Sequence, residues 1–224
     1  MSNEYILRQE ELVENPTARI PICLVLDVSG SMEGDPINEL QEGFNVFMNT
    51  IQSDEVAKYA AEICVVTFGG AVEKKLDFAS IERQETPILS TEGLTPMGEA
   101  VVLAINLLDA RKREYKSAGV DYFQPWLVLM SDGESTDDIS LAEKKVNELT
   151  SRKQLTVFPI GIGMSANLRE LARLSGGRPP LRLKGLNFKE FFVWLSQSVS
   201  RVSQSTPGEK VELDLAGIQA WGTI

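Results

Sequence analysis

The sequence predicts one α/β domain built on a mostly parallel sheet with helices on both faces. Two observations support this fold class. Short apolar runs, typical of buried strands, alternate with stretches of helical periodicity through almost all of the 224 residues. One more polar, alternating segment, residues 72–78, follows an apolar run through Gly69-Gly70. Such a segment is typical of an antiparallel edge strand that is paired through a hairpin.

The first half of the chain contains three predicted strands and two predicted helices. Residues 20–26 form an apolar run that leads directly into a polar turn. Residues 79–94 are irregular, and Thr95-Pro96 then begins a helix, with Thr as N-cap and Pro in the first helical position. The strands are predicted at 20–26, 61–68 and 72–78, and the helices at 37–51 and from Thr95-Pro96 to about 117. The first helix has an apolar face made of Ile37, Leu40, Phe44, Phe47, Met48 and Ile51.

The second half repeats the alternation of strand and helix. Strands are predicted at 125–130, 155–162 and 181–183, and helices at 139–151, 167–174 and 187–203. The tail from 208 to 224 is expected to pack as an extended segment that carries Val211, Leu213, Leu215 and Trp221. We therefore divide the chain into a lead-in, residues 1–17, a domain, residues 18–203, and a C-terminal extension, residues 204–224.

Composition excludes several classes of function. The chain has 32 acidic and 22 basic residues, so its net charge of −10 disfavours binding to nucleic acid or to anionic membranes. It has no histidine, which excludes Ser-His-Asp and Cys-His catalysis and His-rich zinc sites. It has no apolar stretch of membrane-spanning length and a polar, acidic start without the pattern of a secretory signal. Cys23 and Cys64 lie in apolar runs typical of buried thiols, with a disulfide between them as the alternative, and the cytoplasm is the expected location.

Five polar side chains follow the predicted strands in a way that predicts a metal site. Asp27, Ser29 and Ser31 follow the first strand, Asp132 follows the strand at 125–130, and Thr95 begins the helix between them. Ligands bind beyond the carboxyl ends of parallel strands, so these side chains meet if the two strands are neighbours. Two carboxylates and three hydroxyls are an all-oxygen set that suits Mg²⁺ or Mn²⁺, with Ca²⁺ as an alternative.

Each of these residues also has a purely structural interpretation. Thr95 can be an N-cap, Asp27 and Asp132 can cap helices, and Ser29 and Ser31 can be turn residues. Five such coincidences in three converging loops are less favoured than one metal site. The turn at 161–166 superficially matches a dinucleotide-binding fingerprint, but a glycine-rich turn for close packing is favoured. Glu134, Asp137 and Asp138 are interpreted as a solvated loop and helix cap, with an influence on the choice of partner as the alternative.

The motifs Asp27-Val28-Ser29-Gly30-Ser31 and Ser131-Asp132-Gly133, together with Thr95, resemble the metal-ion-dependent adhesion site of the von Willebrand factor A domain family. The resemblance covers residues 18–203 and implies a doubly wound, Rossmann-like sheet with one antiparallel edge strand. It also implies that the two serines coordinate the metal directly and that the two aspartates contact it directly or through water. Thr95 would enter or leave the coordination shell of the metal as the conformation of the domain changes. The Arg19-Ile20-Pro21 segment and the 94–100 loop are similar to those of bacterial TerY-type tellurium-resistance proteins.

The leading hypothesis is a non-enzymatic module for protein–protein interaction. One divalent cation has an open position that accepts an acidic side chain of another protein, in a cytoplasmic tellurium-resistance or stress-response system. One alternative is a magnesium-dependent phosphoryl-transfer enzyme with Asp27 as nucleophile. That design usually has a second acid two residues later, where this chain has Ser29. The other alternative is a structural subunit that the metal merely stabilises.

Overall fold

The computed structural model describes residue 12, residues 14–209, residue 211 and residues 215–223. The strands of the described residues form one sheet with the order β3-β2-β1-β4-β5-β6-β7. Its inner pairs are parallel, whereas β3 and β7 are antiparallel to their neighbours at the two edges. The predicted fold class is confirmed, and β7 is a second antiparallel edge strand that the sequence pattern did not indicate. The strands are β1 Ile20–Asp27, β2 Ala61–Gly69, β3 Ala71–Leu76, β4 Trp126–Ser131, β5 Thr156–Gly161, β6 Leu181–Leu183 and β7 Gly222–Thr223.

Helices cover both faces of the sheet, as predicted. The α1 and α6 helices bury their apolar stripes on one face, and α3, α4 and α5 pack on the other. None of the described helices combines the length and the apolar character that a membrane crossing requires. The helices are α1 Asp35–Ser53, α2 Ala57–Ala60, α3 Met97–Ala118, α4 Ser140–Ser151, α5 Leu168–Arg173, α6 Phe188–Ser203 and α7 Leu215–Trp221.

The central strand β1 sets the position of the loops that follow it. All eight of its residues are buried, and it pairs in parallel with β2 on one side and β4 on the other. Leu26 is opposite Met130, so β1 and β4 end at nearly the same level of the sheet. The loops after these two strands are therefore neighbours, which is the condition that the predicted metal site requires.

The two cysteines lie side by side on neighbouring strands. Cys23 of β1 is in register with Cys64 of β2, and both are buried free thiols, so the disulfide alternative is not realised. Burial, followed by the hydrogen bond and charge interaction with Cys64, raises the pKa of Cys23 well above its ordinary value. Both side chains are wholly buried and serve as small apolar groups in the core.

The C-terminal segment is helical where an extended path was expected. An extended segment was expected over 208–224, but α7 begins at Leu215, and among the described residues of this segment the single strand is Gly222–Thr223. Leu213 lies outside the described residues. The position of α7 is set by Trp221, which is wholly buried against Phe191 and Trp194 of α6, with ring centroids 4.9 and 5.3 Å away.

A buried cluster of charges lies at the amino end of the sheet. Glu62 of β2 accepts hydrogen bonds from Arg19 Nε at 3.1 Å, from Arg111 Nε at 2.6 Å and from the Tyr115 hydroxyl at 2.7 Å. Arg111 also donates to Glu114 at 2.5 Å. Because the two arginines come from the start of β1 and from α3, one carboxylate joins three parts of the fold.

We predict that Glu62→Gln lowers the free energy of unfolding by about 3–5 kcal/mol, because it leaves two buried guanidinium groups without their shared counter-charge. Chemical denaturation followed by circular dichroism measures this loss. The matched control is Glu143→Gln, which removes a partly exposed pair with Arg173 and is expected to cost less than about 1 kcal/mol. Equal losses in the two variants would contradict the structural role of the buried cluster.

Candidate metal centre

The first loop of the site is formed by the carboxylate that ends β1. Asp27 is wholly buried, and its Oδ1 accepts a hydrogen bond of 2.9 Å from the backbone N–H of Ser29. A side-chain hydrogen bond to the backbone amide two residues later forms an Asx turn. This turn ends the strand and leads into a short 3₁₀ helix, Gly30–Met32. As a result the Ser29 and Ser31 hydroxyls lie on the same side of the loop, with their oxygens 3.1 Å apart.

The loop after β4 completes the cluster of oxygens. The Ser31 hydroxyl donates to Asp132 Oδ1 at 2.8 Å, so Ser29, Ser31 and Asp132 form a continuous chain of oxygens from two loops. The Ser131 hydroxyl donates to Asp27 Oδ2 at 2.6 Å and ties the ends of β1 and β4 together. Four of the five predicted ligands therefore lie together at the carboxyl edge of the sheet.

The fifth predicted ligand, Thr95, lies on a loop that is fastened to both of the others. Gly30 N–H donates to the Gly93 carbonyl at 3.1 Å, and Thr136 N–H donates to the Thr95 carbonyl at 2.9 Å. Thr95 is 7% exposed. Its side chain makes no hydrogen bond to the other four predicted ligands, all of which lie in the described part of the chain. The backbone thus holds Thr95 beside the oxygen cluster without joining its hydroxyl to it.

The interpretation of Thr95 as an N-cap is wrong. The α3 helix begins at Met97, and Pro96 occupies the cap position without a side-chain hydrogen bond. The first-turn amides of Gly98 and Glu99 donate instead to Asp137, at 2.9 and 2.7 Å. Asp137 comes from the loop after β4, far along the chain, so no local sequence pattern could indicate this cap. Its contact fixes the start of α3 beside the third loop.

The other acids of the third loop have the structural roles that the sequence favoured. Glu134 accepts a hydrogen bond of 3.0 Å from the Asn167 side chain. Asp138 accepts from the backbone and the hydroxyl of Ser140 at the start of α4, and these hydrogen bonds lower its pKa. The role of Ser131 was missed, although its position at the very end of β4, beside the end of β1, is the signal that could have found it.

The electrostatics of the cluster favour a bound cation. Burial raises the pKa of Asp27, hydrogen bonds from Ser131 and Ser29 act in the opposite direction, and the charge of Asp132 raises the pKa further. Two carboxylates at one edge of the sheet are therefore only partly stabilised by the protein itself, and a divalent cation would complete their stabilisation. No group of three or more His, Cys, Asp or Glu residues that could hold a metal occurs among the described residues, so a cation at this edge needs other oxygen ligands besides Asp27 and Asp132.

The glycine-rich turn after β5 has the packing role that the sequence favoured over dinucleotide binding. A Cβ atom at Gly161 would lie 2.6 Å from Leu168 Cδ2 and 3.0 Å from Ala166 Cβ. The glycine leaves room for the Leu168 and Ala166 side chains, which pack against the end of β5.

Comparisons with known proteins identify the type of domain. Residues 22–189 match the family model of the von Willebrand factor type A domain. Human inter-alpha-trypsin inhibitor heavy chain H6 is 20% identical over 159 residues, which are 69% of this chain. The chain spans only 12% of the length of that relative, so the similarity concerns one domain of a much larger protein.

Solved structures share the fold at low sequence identity. The von Willebrand factor domain of the type V pili tip protein Mfa5 from Porphyromonas gingivalis has a TM-score of 0.60 and 12% identity, covering 87% of this chain and 99% of that one. Proximal thread matrix protein 1 from the mussel byssus, with a zinc-occupied MIDAS motif, has a TM-score of 0.53 and 16% identity, covering 83% and 48%. At these identities the similarity shows the fold alone.

We predict that Gly93→Ala disrupts the candidate site. Gly93 has a φ of 59°, and a Cβ there would lie 2.5 Å from the Gly70 backbone, so the second loop must shift. The free energy of unfolding, measured by chemical denaturation, is expected to fall by about 2 kcal/mol or more. The control is Gly133→Ala, beside Asp132, where a Cβ meets nothing within 4 Å. An equal effect of the two substitutions would show that the second loop is not tightly seated.

Proposed function

The chain belongs to the von Willebrand factor type A domain family, and we propose that it is a metal-dependent module for protein–protein interaction. Domains of this family commonly mediate such interactions, and some hold a metal at a MIDAS motif. In our proposal Asp27, Ser29, Ser31, Asp132 and Thr95 hold one divalent cation. An open coordination position of that cation accepts a carboxylate from another protein.

The observation that carries the proposal is the chain of oxygens between the loops after β1 and β4. Ser29 Oγ, Ser31 Oγ and Asp132 Oδ1 are joined by contacts of 3.1 and 2.8 Å. Three hard oxygen donors are thus already close together at one edge of the sheet. Structural hydroxyls usually bond to backbone groups, whereas these hydroxyls bond to each other and to a carboxylate.

The donor set supports a hard cation. Oxygen ligands without histidine or cysteine suit Mg²⁺ or Mn²⁺, with Ca²⁺ as the alternative. Serine hydroxyls are neutral ligands that do not reduce the charge of the ion, so direct coordination by them keeps the cation receptive to an external anion. Thr95, which is held beside the cluster by backbone contacts, would become a ligand through a small movement of its loop.

The exposure of the site supports a binding role over the two alternatives. Asp27 is wholly buried and both of its oxygens accept hydrogen bonds, so it is badly placed to attack a phosphate. Ser31 is exposed and Asp132 is half-buried. A purely structural metal would favour a closed set of buried ligands, whereas this set is open to solvent on one side.

Three finer proposals rest on the sequence alone. They are the tellurium-resistance or stress-response role, the cytoplasmic location, and residues 18–203 as the extent of the module. Growth of a deletion strain on tellurite and fractionation of cells test the first two.

We predict binding of one Mg²⁺ or Mn²⁺ ion per chain in isothermal titration calorimetry. Ser31→Ala, an exposed change that leaves the core intact, is expected to weaken binding about tenfold or more, and Asp27→Ala to abolish it, because each removes an oxygen ligand. Asp138→Asn is the matched control: it is an acid of the same loop that caps α4 and should leave affinity unchanged. Absence of binding to the wild-type chain would overturn the proposal.

We also predict that removal of the metal abolishes partner capture while the domain stays folded. The full chain is used to capture proteins from lysate with Mg²⁺, with chelator, and as the Ser31→Ala variant, each beside a melting curve. A specific protein is expected in the first sample only. If chelator lowers the melting temperature but the same protein is still captured, the metal has a structural role instead.

A further inference from the structure

Two large apolar side chains are exposed beside the candidate metal centre. Leu94 is 67% exposed and Met164 is 87% exposed. Each lies on a loop that contacts the site, and neither is covered by another described part of the chain. Contiguous exposed apolar patches mark interaction sites, whereas singly scattered apolar side chains have no special meaning. Their positions relative to the oxygen cluster therefore decide what they do.

Leu94 lies on the β2 side of the cluster. It directly precedes Thr95, and its carbonyl accepts a hydrogen bond of 2.8 Å from Gly70 N–H in the turn between β2 and β3. This contact holds the loop over the end of β2. The exposed side chain thus lies next to a predicted ligand, one strand away from β1.

Met164 lies on the opposite, β5 side. The loop after β5 is fastened to the third loop of the site, because Ile162 N–H donates to the Ser131 carbonyl at 2.8 Å. The hydroxyl of Ser165 also donates to the Asp132 carbonyl at 3.1 Å. Met164 is therefore adjacent to the loop that carries Asp132, one strand beyond β4.

The loops that carry the two apolar side chains lie on opposite sides of the oxygen cluster. The relevant order is β2-β1-β4-β5, with the cluster between β1 and β4. Three spacings of about 4.8 Å separate β2 from β5, which gives roughly 14 Å. In an extended chain, residues four apart are separated by about 13 Å, and alternate residues point to the same side. One extended segment can therefore place a central residue over the cluster and its neighbours at positions −2 and +2 over Leu94 and Met164.

The charge of the surrounding loops selects against further acids in that segment. The loops at 28–35, 90–99, 132–139 and 162–167 contain no Lys or Arg. Their exposed acids include Glu33, Glu92 and Glu134. Arg182 of β6 donates hydrogen bonds to the Gly163 and Ala166 carbonyls and so places one positive charge at the last of these loops. Around the other three loops, beyond the reach of the cation, the exposed acids repel anions and attract cations. This surface is complementary to a partner that has an acidic residue only where it contacts the cation and neutral or basic residues around that point.

We propose that the partner presents an extended protein segment with one Asp or Glu, a large apolar residue two positions before it and another two positions after it, and no second acid nearby. This inference rests on the proposed function, since the central carboxylate binds the cation. Leu94 and Met164 contact the two apolar residues and give the interaction its specificity.

The test is selection from a displayed peptide library on the immobilised full chain. Each peptide has a fixed central Asp with four random residues on either side. Selection is carried out with Mg²⁺, with chelator, and on three variants: Ser31→Ala, the double variant Leu94→Ser with Met164→Ser, and Leu141→Ser. The last is the matched control, an exposed leucine on α4.

On the wild-type chain with Mg²⁺ and on the Leu141→Ser variant, we expect enrichment of large apolar residues at −2 and +2 and depletion of Asp and Glu at the other random positions. The remaining selections are expected to lack this enrichment. In fluorescence anisotropy with synthetic peptides, Ser at either apolar position is expected to weaken binding about five- to tenfold. The double variant should retain chelator-sensitive binding but lose the apolar preference.

Three outcomes would overturn the inference. The inference is rejected if the selected peptides bind in a metal-dependent way but show no apolar preference, or if the preference is unchanged on the double variant. Neither result contradicts the proposed function. An empty selection rejects recognition of a short extended segment, and capture from lysate then tests the function separately. Enrichment that chelator does not change rejects the proposed function itself.

Discussion

The candidate site depends on one buried carboxylate at the end of the central strand. Asp27 has no contact with solvent, and a buried charge is costly unless hydrogen bonds or an opposite charge stabilise it. Ser29 N–H and the Ser131 hydroxyl supply two hydrogen bonds, and in doing so they join the loops after β1 and β4. The same contacts that stabilise the carboxylate therefore bring Ser31 and Asp132 together. A cation would supply the stabilisation that these hydrogen bonds leave incomplete.

The sheet is fixed at both ends by polar clusters, and α3 connects them. At the amino end, Glu62 holds Arg111 and Tyr115 in the last turns of this helix. At the carboxyl end, Asp137 caps its first turn beside Thr95. Because the helix is anchored at both ends, the loop that carries Thr95 has a rigid support. Rigid elements hold binding residues more precisely than free loops do.

The sequence predicted those features that follow from strand pattern and topology. Parallel strands end at one edge of a sheet, so apolar runs followed by Asp27 and Asp132 predicted that their loops meet if the two strands are neighbours. The structure supplies that condition, because β1 pairs with β4. The cap of α3 was not predictable, because Asp137 is distant in the chain and reaches Gly98 only after folding. The helical tail was not predictable for the same reason: its position depends on the contact between Trp221 and α6.

The depth of the site determines from which side a ligand can approach. Asp27 and Ser29 are buried, Asp132 is half-buried and Ser31 is exposed, so burial decreases from the sheet outward. A cation seated among these oxygens is enclosed by protein on the sheet side and open only on the outer side. An external carboxylate must therefore arrive across the surface that Leu94 and Met164 border. In our proposal, coordination by the metal and contact with the apolar side chains therefore belong to a single docking event, in which the cation supplies strength and the flanking residues supply selectivity.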